Sequence, residues 1–144
     1  MQLLLNLDVP DLPLAVEFYR QAFGLRVGRQ LFEGTVTEML GAPVPLYLLQ
    51  QAPGSLPCPD ARVRRDYHRH WMPLHLDFLV EDLDIALKQA LAAGARQEGD
   101  IQTHDWGRLV MLSDPFGHGL CLLQWRGQGY EHVRHDQGAI DAQD

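Results

Sequence analysis

The chain has 144 residues and 16.3 kDa, with 46% hydrophobic and 22% charged side chains, a composition that suits one globular domain and excludes disorder along most of its length. Its apolar runs are far too short to span a bilayer, and no basic segment precedes an apolar core at the start, so neither a membrane span nor a secretory leader is expected. A net charge of −7 repels phosphate backbones and argues against nucleic acid as a partner. Cys58 lies between Pro57 and Pro59, and Cys121 within an apolar run. That usage suits reduced thiols, and a cytoplasmic location is expected.

In chain order, residues 2–9 alternate, with Leu3, Leu5, Leu7 and Val9 on one face and Asn6 and Asp8 on the other, which predicts a half-buried strand. Asp11 is placed to cap a helix whose apolar stripe is Leu12, Ala15, Val16, Tyr19, Ala22 and Phe23, and Gly24 stops it. Strands are expected at 25–32, 35–40 and 44–50. Residues 51–73 form a long connection, rich in proline and glycine before residue 60 and then basic at Arg62, Arg64, Arg65 and Arg69. The order then repeats. A strand at 74–80 leads to a cap at Asp82 and to a helix carrying Leu83, Ala86, Leu87, Ala90 and Leu91, ended by Gly94. On the outer face of that helix Asp84 and Lys88 stand four residues apart, the spacing of an ion pair. Strands follow at 96–103, 107–113 and 118–125, the last two joined by Asp114-Pro115-Phe116-Gly117, a type I turn sequence. Val9, Asp11 and Leu12 correspond to Val80, Asp82 and Leu83, an offset of 71 residues that divides the chain into two β-α-β-β-β halves. The polar tail 126–144 is expected to be mobile or docked only through Tyr130 and Val133.

Two such halves, each opening strand–Val-x-Asp-Leu–helix, resemble the vicinal oxygen chelate superfamily, which includes glyoxalase I, extradiol dioxygenases, fosfomycin-modifying enzymes and bleomycin-resistance proteins. The likeness is carried by Val9-Pro10-Asp11-Leu12 with Phe18-Tyr19 and Phe23-Gly24-Leu25, by His75-Leu76-Asp77-Phe78-Leu79-Val80, and by Trp106-Gly107-Arg108 with Asp114-Pro115-Phe116-Gly117-His118. It implies an α+β fold in which two tandem modules, 2–50 and 74–125, form an open cupped barrel within a single domain, 1–125. It also implies a metal held by the first and last strands of each module. Those positions fall on Leu4, Tyr47, His75 and Cys121. Only His75 is a conventional ligand for a hard divalent ion, so no cofactor is expected.

Two functions follow from the resemblance. One is a metal-free cavity that binds a small organic ligand, with Asn6, Tyr47, Trp106, Arg108 and Cys121 as candidate binding residues. The other is a diverged metal-dependent lyase or dioxygenase using His75 as general base, with Asp77 on the same face to orient it. Cys121 reads as a nucleophile or, more commonly for such a residue, as an inert buried thiol, and Trp125 as ordinary packing. The run from Arg62 to Trp71 offers Arg64, Arg65, His68, Arg69 and His70 as cations for an anion, or is a solvated linker. Exposed edge strands and the habits of relatives lead us to expect a homodimer.

Overall fold

The computed structural model describes residues 1–70 and 72–135 and contains both halves of the repeat. The first comprises β1 (Leu5–Val9), α1 (Leu12–Phe23), β2 (Arg26–Leu31), β3 (Val36–Leu40) and β4 (Leu46–Gln50). The second comprises β5 (Leu76–Leu79), α2 (Leu83–Ala92), β6 (Arg96–Thr103), β7 (Gly107–Ser113) and β8 (Gly119–Trp125). Each half forms its own four-stranded mixed sheet, ordered β1-β4-β3-β2 and β5-β8-β7-β6. In both, the first strand runs parallel to the last, and the remaining pairs are antiparallel.

Local chemistry explains where the helices begin and end. The Asp11 carboxylate accepts the Leu14 N–H at 3.0 Å, and that of Asp82 accepts the Ile85 N–H at 2.9 Å, each satisfying an amide that the first helical turn leaves free. Gly24 closes α1 in the left-handed region (φ 67°), donating its N–H to the Arg20 carbonyl at 3.0 Å. In α2 the cap falls one residue before the expected glycine, on Ala93, and Gly94 follows at φ 112°.

Both helices press onto one side of their sheets. Phe18 and Tyr19 of α1 are fully buried, with rings 5.0 Å apart edge to face, and pack in one core with Leu48, Leu83, Leu112 and Leu122. The two modules share this core. Phe23 and Phe78 stack across their boundary at 3.8 Å, and the Gln89 amide donates to the Gln21 carbonyl. The opposite side of each sheet carries no helix. It presents the alternate residues: Asn6, Tyr47 and Glu38 from the first module, Asp77, Cys121 and Met111 from the second.

The connection 51–73 is tied down along its described part, unlike a solvated linker. Arg65 reaches Asp8 at 2.6 Å as well as Ser55 and the Leu56 carbonyl, and Tyr67 donates its hydroxyl to the Gln51 carbonyl. Arg69 holds Glu98 with two bonds, at 2.6 and 3.0 Å. The backbone at Tyr67–Arg69 lies so close to Gly117 that a β-carbon there would come within 2.8 Å of the Tyr67 carbonyl. Arg64, Arg65 and Arg69 are thus engaged by groups of the chain itself, and Trp71 lies outside the described residues.

Candidate functional site

On the open face of the first sheet the polar residues form a closed set. Glu38 is buried on β3, and both of its oxygens are taken. Arg29 donates through Nε at 2.9 Å and Nη2 at 2.8 Å, and the Tyr47 hydroxyl donates at 2.8 Å. These bonds hold the Glu38 carboxyl down at about 2, Arg29 contributing most and Tyr47 next, against an opposing effect of burial. Asn6 is exposed beside them, in register with Tyr47. The Arg29–Glu38 pair is invisible to simple strand alternation, because the β2–β3 pairing shifts between Val27 and Gln30. The signal available was only a charged pair on adjacent predicted strands.

On the second sheet, His75 Nε2 lies 3.2 Å from Asp77 Oδ1, with the His75 side chain 64% exposed. Asp77 is paired in register with Cys121. Burial pushes the Cys121 thiol up to about 11, and the nearby Asp77 charge adds to the shift, so the sulfur stays protonated and unreactive near neutrality. Arg108 does not join this group. It turns to the helix-bearing face, where it grips Asp84 with two bonds at 2.9 and 3.1 Å, taking the carboxylate that the sequence pairs with Lys88. Trp106 also stands apart, stacked on His104 at 4.9 Å and packed against Trp125 and Tyr130. The tail therefore meets the sheet through the Tyr130 ring on Trp106 and Trp125, although Tyr130 and Val133 are similarly exposed, at 53% and 55%, and residues 136–144 lie outside the described part.

Two hollows flank the boundary between the modules. A groove of about 870 Å³ has His75 and Asp77 in a wall that also includes Phe23, Val44, Phe78 and Gln89. A smaller cavity of about 250 Å³ brings Asn6 and His75 together among leucines.

The positions at which the resemblance implies a metal supply a poor donor set. Leu4 is an exposed hydrocarbon, the Tyr47 hydroxyl is committed to Glu38, and Cys121 is a protonated thiol. His75 alone offers a suitable nitrogen. Among the described residues no three His, Cys, Asp or Glu side chains are grouped as metal ligands would be. The residues present do not fit a resident hard divalent ion.

Residues 5–123 match the family described as a glyoxalase-like domain. The chain belongs to that family. With it comes membership of the vicinal oxygen chelate superfamily, and the two open four-stranded sheets are the tandem modules of its fold. Among solved structures, this glyoxalase-like chain is similar to the fosfomycin resistance protein FosX from Listeria monocytogenes, at 17% identity and TM-score 0.66 over 88% of this chain and 93% of that one. It is similar to a glyoxalase/bleomycin resistance protein/dioxygenase family enzyme from Burkholderia phytofirmans, at 14% identity and TM-score 0.66 over 85% and 96%. TioX from Micromonospora sp. ML1 follows at 17% and 0.64 over 88% and 99%. At such identities these structures establish the fold alone. A variant of the Listeria FosX has been solved with Mn(II) and dihydroxypropylphosphonic acid. No curated protein matches the chain. Among the described residues no helix is long and apolar enough to cross a membrane.

Proposed function

We propose that this glyoxalase-like protein binds a small organic molecule without a resident divalent metal. The observation that carries the reading is the inter-module groove. Its size falls within the range of about 300–1,000 Å³ common to small-molecule sites, and its largely apolar wall holds the His75–Asp77 pair as a polar anchor. The metal-free part rests on the donors at Leu4, Tyr47 and Cys121, none of which supplies the nitrogen or carboxylate oxygen that a hard ion needs. A homodimer accords with the free edges of β1, β2, β5 and β6, and with the exposed Leu79 and Met111 on the open face of the second sheet. A reducing, cytoplasmic setting accords with the unpaired Cys58 and Cys121.

The second reading is catalytic. Asp77 lies within reach of the His75 ring, the arrangement a general base uses to fix its tautomer. A thermal-shift screen with glycopeptides, catechols and glutathione thioesters, with turnover followed in parallel, separates the two. Stabilisation that persists in chelator and brings no turnover supports binding. Catechol cleavage or thioester isomerisation that disappears in His75→Ala overturns it. Elemental analysis after growth in metal-supplemented medium is expected to find less than stoichiometric Mg, Mn, Ni, Fe or Zn, and one ion per chain refutes the metal-free part. Light scattering at micromolar concentration tests the dimer, which a 16 kDa particle would rule out.

A further inference from the structure

His118 is not needed for the groove, yet it is the one buried histidine among the described residues. Its Nδ1 lies 2.7 Å from Asp114 Oδ2, and its own backbone N–H donates to Asp114 Oδ1 at 2.9 Å. Asp114 is fully buried and accepts two further donors, the Phe116 N–H at 2.9 Å and the Tyr19 hydroxyl at 2.8 Å. Burial, followed by the Asp114 charge and this hydrogen bond, raises the Tyr19 hydroxyl well above its ordinary value, so it remains a donor. Every partner of the carboxylate is thus a donor, so His118 presents Nδ1–H to Asp114, and in the neutral ring Nε2 then carries a bare lone pair.

That lone pair has no partner among the described residues. Nor is Nε2 sealed in the core, because no buried side-chain nitrogen or oxygen among them lacks a hydrogen bond. His118 is 8% exposed and lines the 250 Å³ cavity between the modules. The rest of that lining is mostly hydrocarbon: Leu5, Leu7, Leu46, Met72, Leu76 and Leu120 among others. The remaining polar residues there are Asn6 and His75, both exposed to solvent. The chemistry is therefore a largely apolar chamber in which His118 is the one buried polar side chain. A cavity of about 150 Å³ suffices for benzene, so this one has room for a substituted single ring.

We propose that this chamber is a binding site for a small, neutral, mostly apolar molecule bearing one hydroxyl, such as a phenol, whose O–H donates to His118 Nε2. The site is separate from the groove, although the two share part of their walls. A hydroxyl completes the acceptor that an unsubstituted hydrocarbon would leave unpaired in an apolar chamber. A carboxylate is disfavoured, because it would bring a second negative charge close to buried Asp114.

The probes are phenol and toluene, similar in size and different in the hydroxyl, titrated into the full chain and followed by calorimetry and by the imidazole resonances in long-range proton–nitrogen spectra. Phenol is expected to bind about tenfold more tightly than toluene, the worth of one hydrogen bond in such a site, and to shift the His118 Nε2 resonance where toluene does not. His118→Asn keeps an amide donor for Asp114 while removing Nε2, and it should bring phenol down to toluene's affinity. Leu7→Phe narrows the chamber from a residue absent from the groove's wall, and should abolish binding of both. Equal affinity for the two probes overturns the proposal, as does phenol binding that survives Leu7→Phe. Failure of either probe to bind, with the chamber holding only water, overturns it equally.

Discussion

Tyr19 and Asp114 are 95 residues apart and tie the first helix of one module to the last turn of the other. Replacing Tyr19 by Phe keeps the buried ring, and its edge-to-face contact with Phe18, but removes the hydroxyl. Asp114 keeps three donors, so the carboxylate is not stranded, and the cost is one charge-assisted hydrogen bond, about 2 kcal/mol. For a chain of this size that lowers Tm by about 4–8 °C. Urea unfolding should show the midpoint falling at constant slope, since the exposed surface hardly changes. The alkaline limb supplies an independent check. Tyr19 has a raised value when folded and about 10 when unfolded, so above that pH the unfolded chain releases a proton that the native chain keeps. The stability due to Tyr19 is therefore fully present below about pH 10 and is lost as pH rises toward the folded value. Tyr19→Phe should flatten that decline. A loss under 0.5 kcal/mol together with an unchanged alkaline limb would refute the assignment of the hydroxyl as a structural tie.

Three further outcomes follow from the same contacts. Glu38 is lowered from 4.5 to about 2, so its contribution is present above pH 4.5 and disappears as pH falls toward 2; Glu38→Gln should weaken that part of the acid-unfolding curve, read by circular dichroism. Gly117→Ala places a β-carbon at φ +87° against the Tyr67 carbonyl, and we expect a loss of about 2–3 kcal/mol in urea together with faster tryptic cleavage in 62–69. The turn between β2 and β3 holds Phe32 and Glu33 left-handed, at φ 52° and 55°. Glu33→Gly should stabilise the chain by about 1 kcal/mol, and a destabilisation in the same assay would show that the side chain, rather than backbone strain, governs that turn.

The sequence by itself determined whatever is decided within a few residues of chain. Asp11 and Asp82 cap their helices through amides three residues on, Gly24 takes the left-handed stop, and Asp114-Pro115-Phe116-Gly117 closes its turn by a bond from the Gly117 N–H to the Asp114 carbonyl. The strand alternation was equally legible, because a period of two sorts side chains to opposite faces wherever one face is buried. Leu5, Leu7, Leu46 and Leu48 accordingly face the helix side, and Asn6 and Tyr47 the open side. Tertiary structure alone decided which distant groups meet. It gave Asp84 to Arg108 rather than Lys88, since a guanidinium fixed on the neighbouring sheet forms two bonds that a flexible ammonium does not match. It turned the basic connection inward, onto Asp8 and Glu98, and placed His118 beside a cavity that exists only where two modules abut. None of these pairings leaves a periodic trace, because each depends on where whole sheets and helices come to rest.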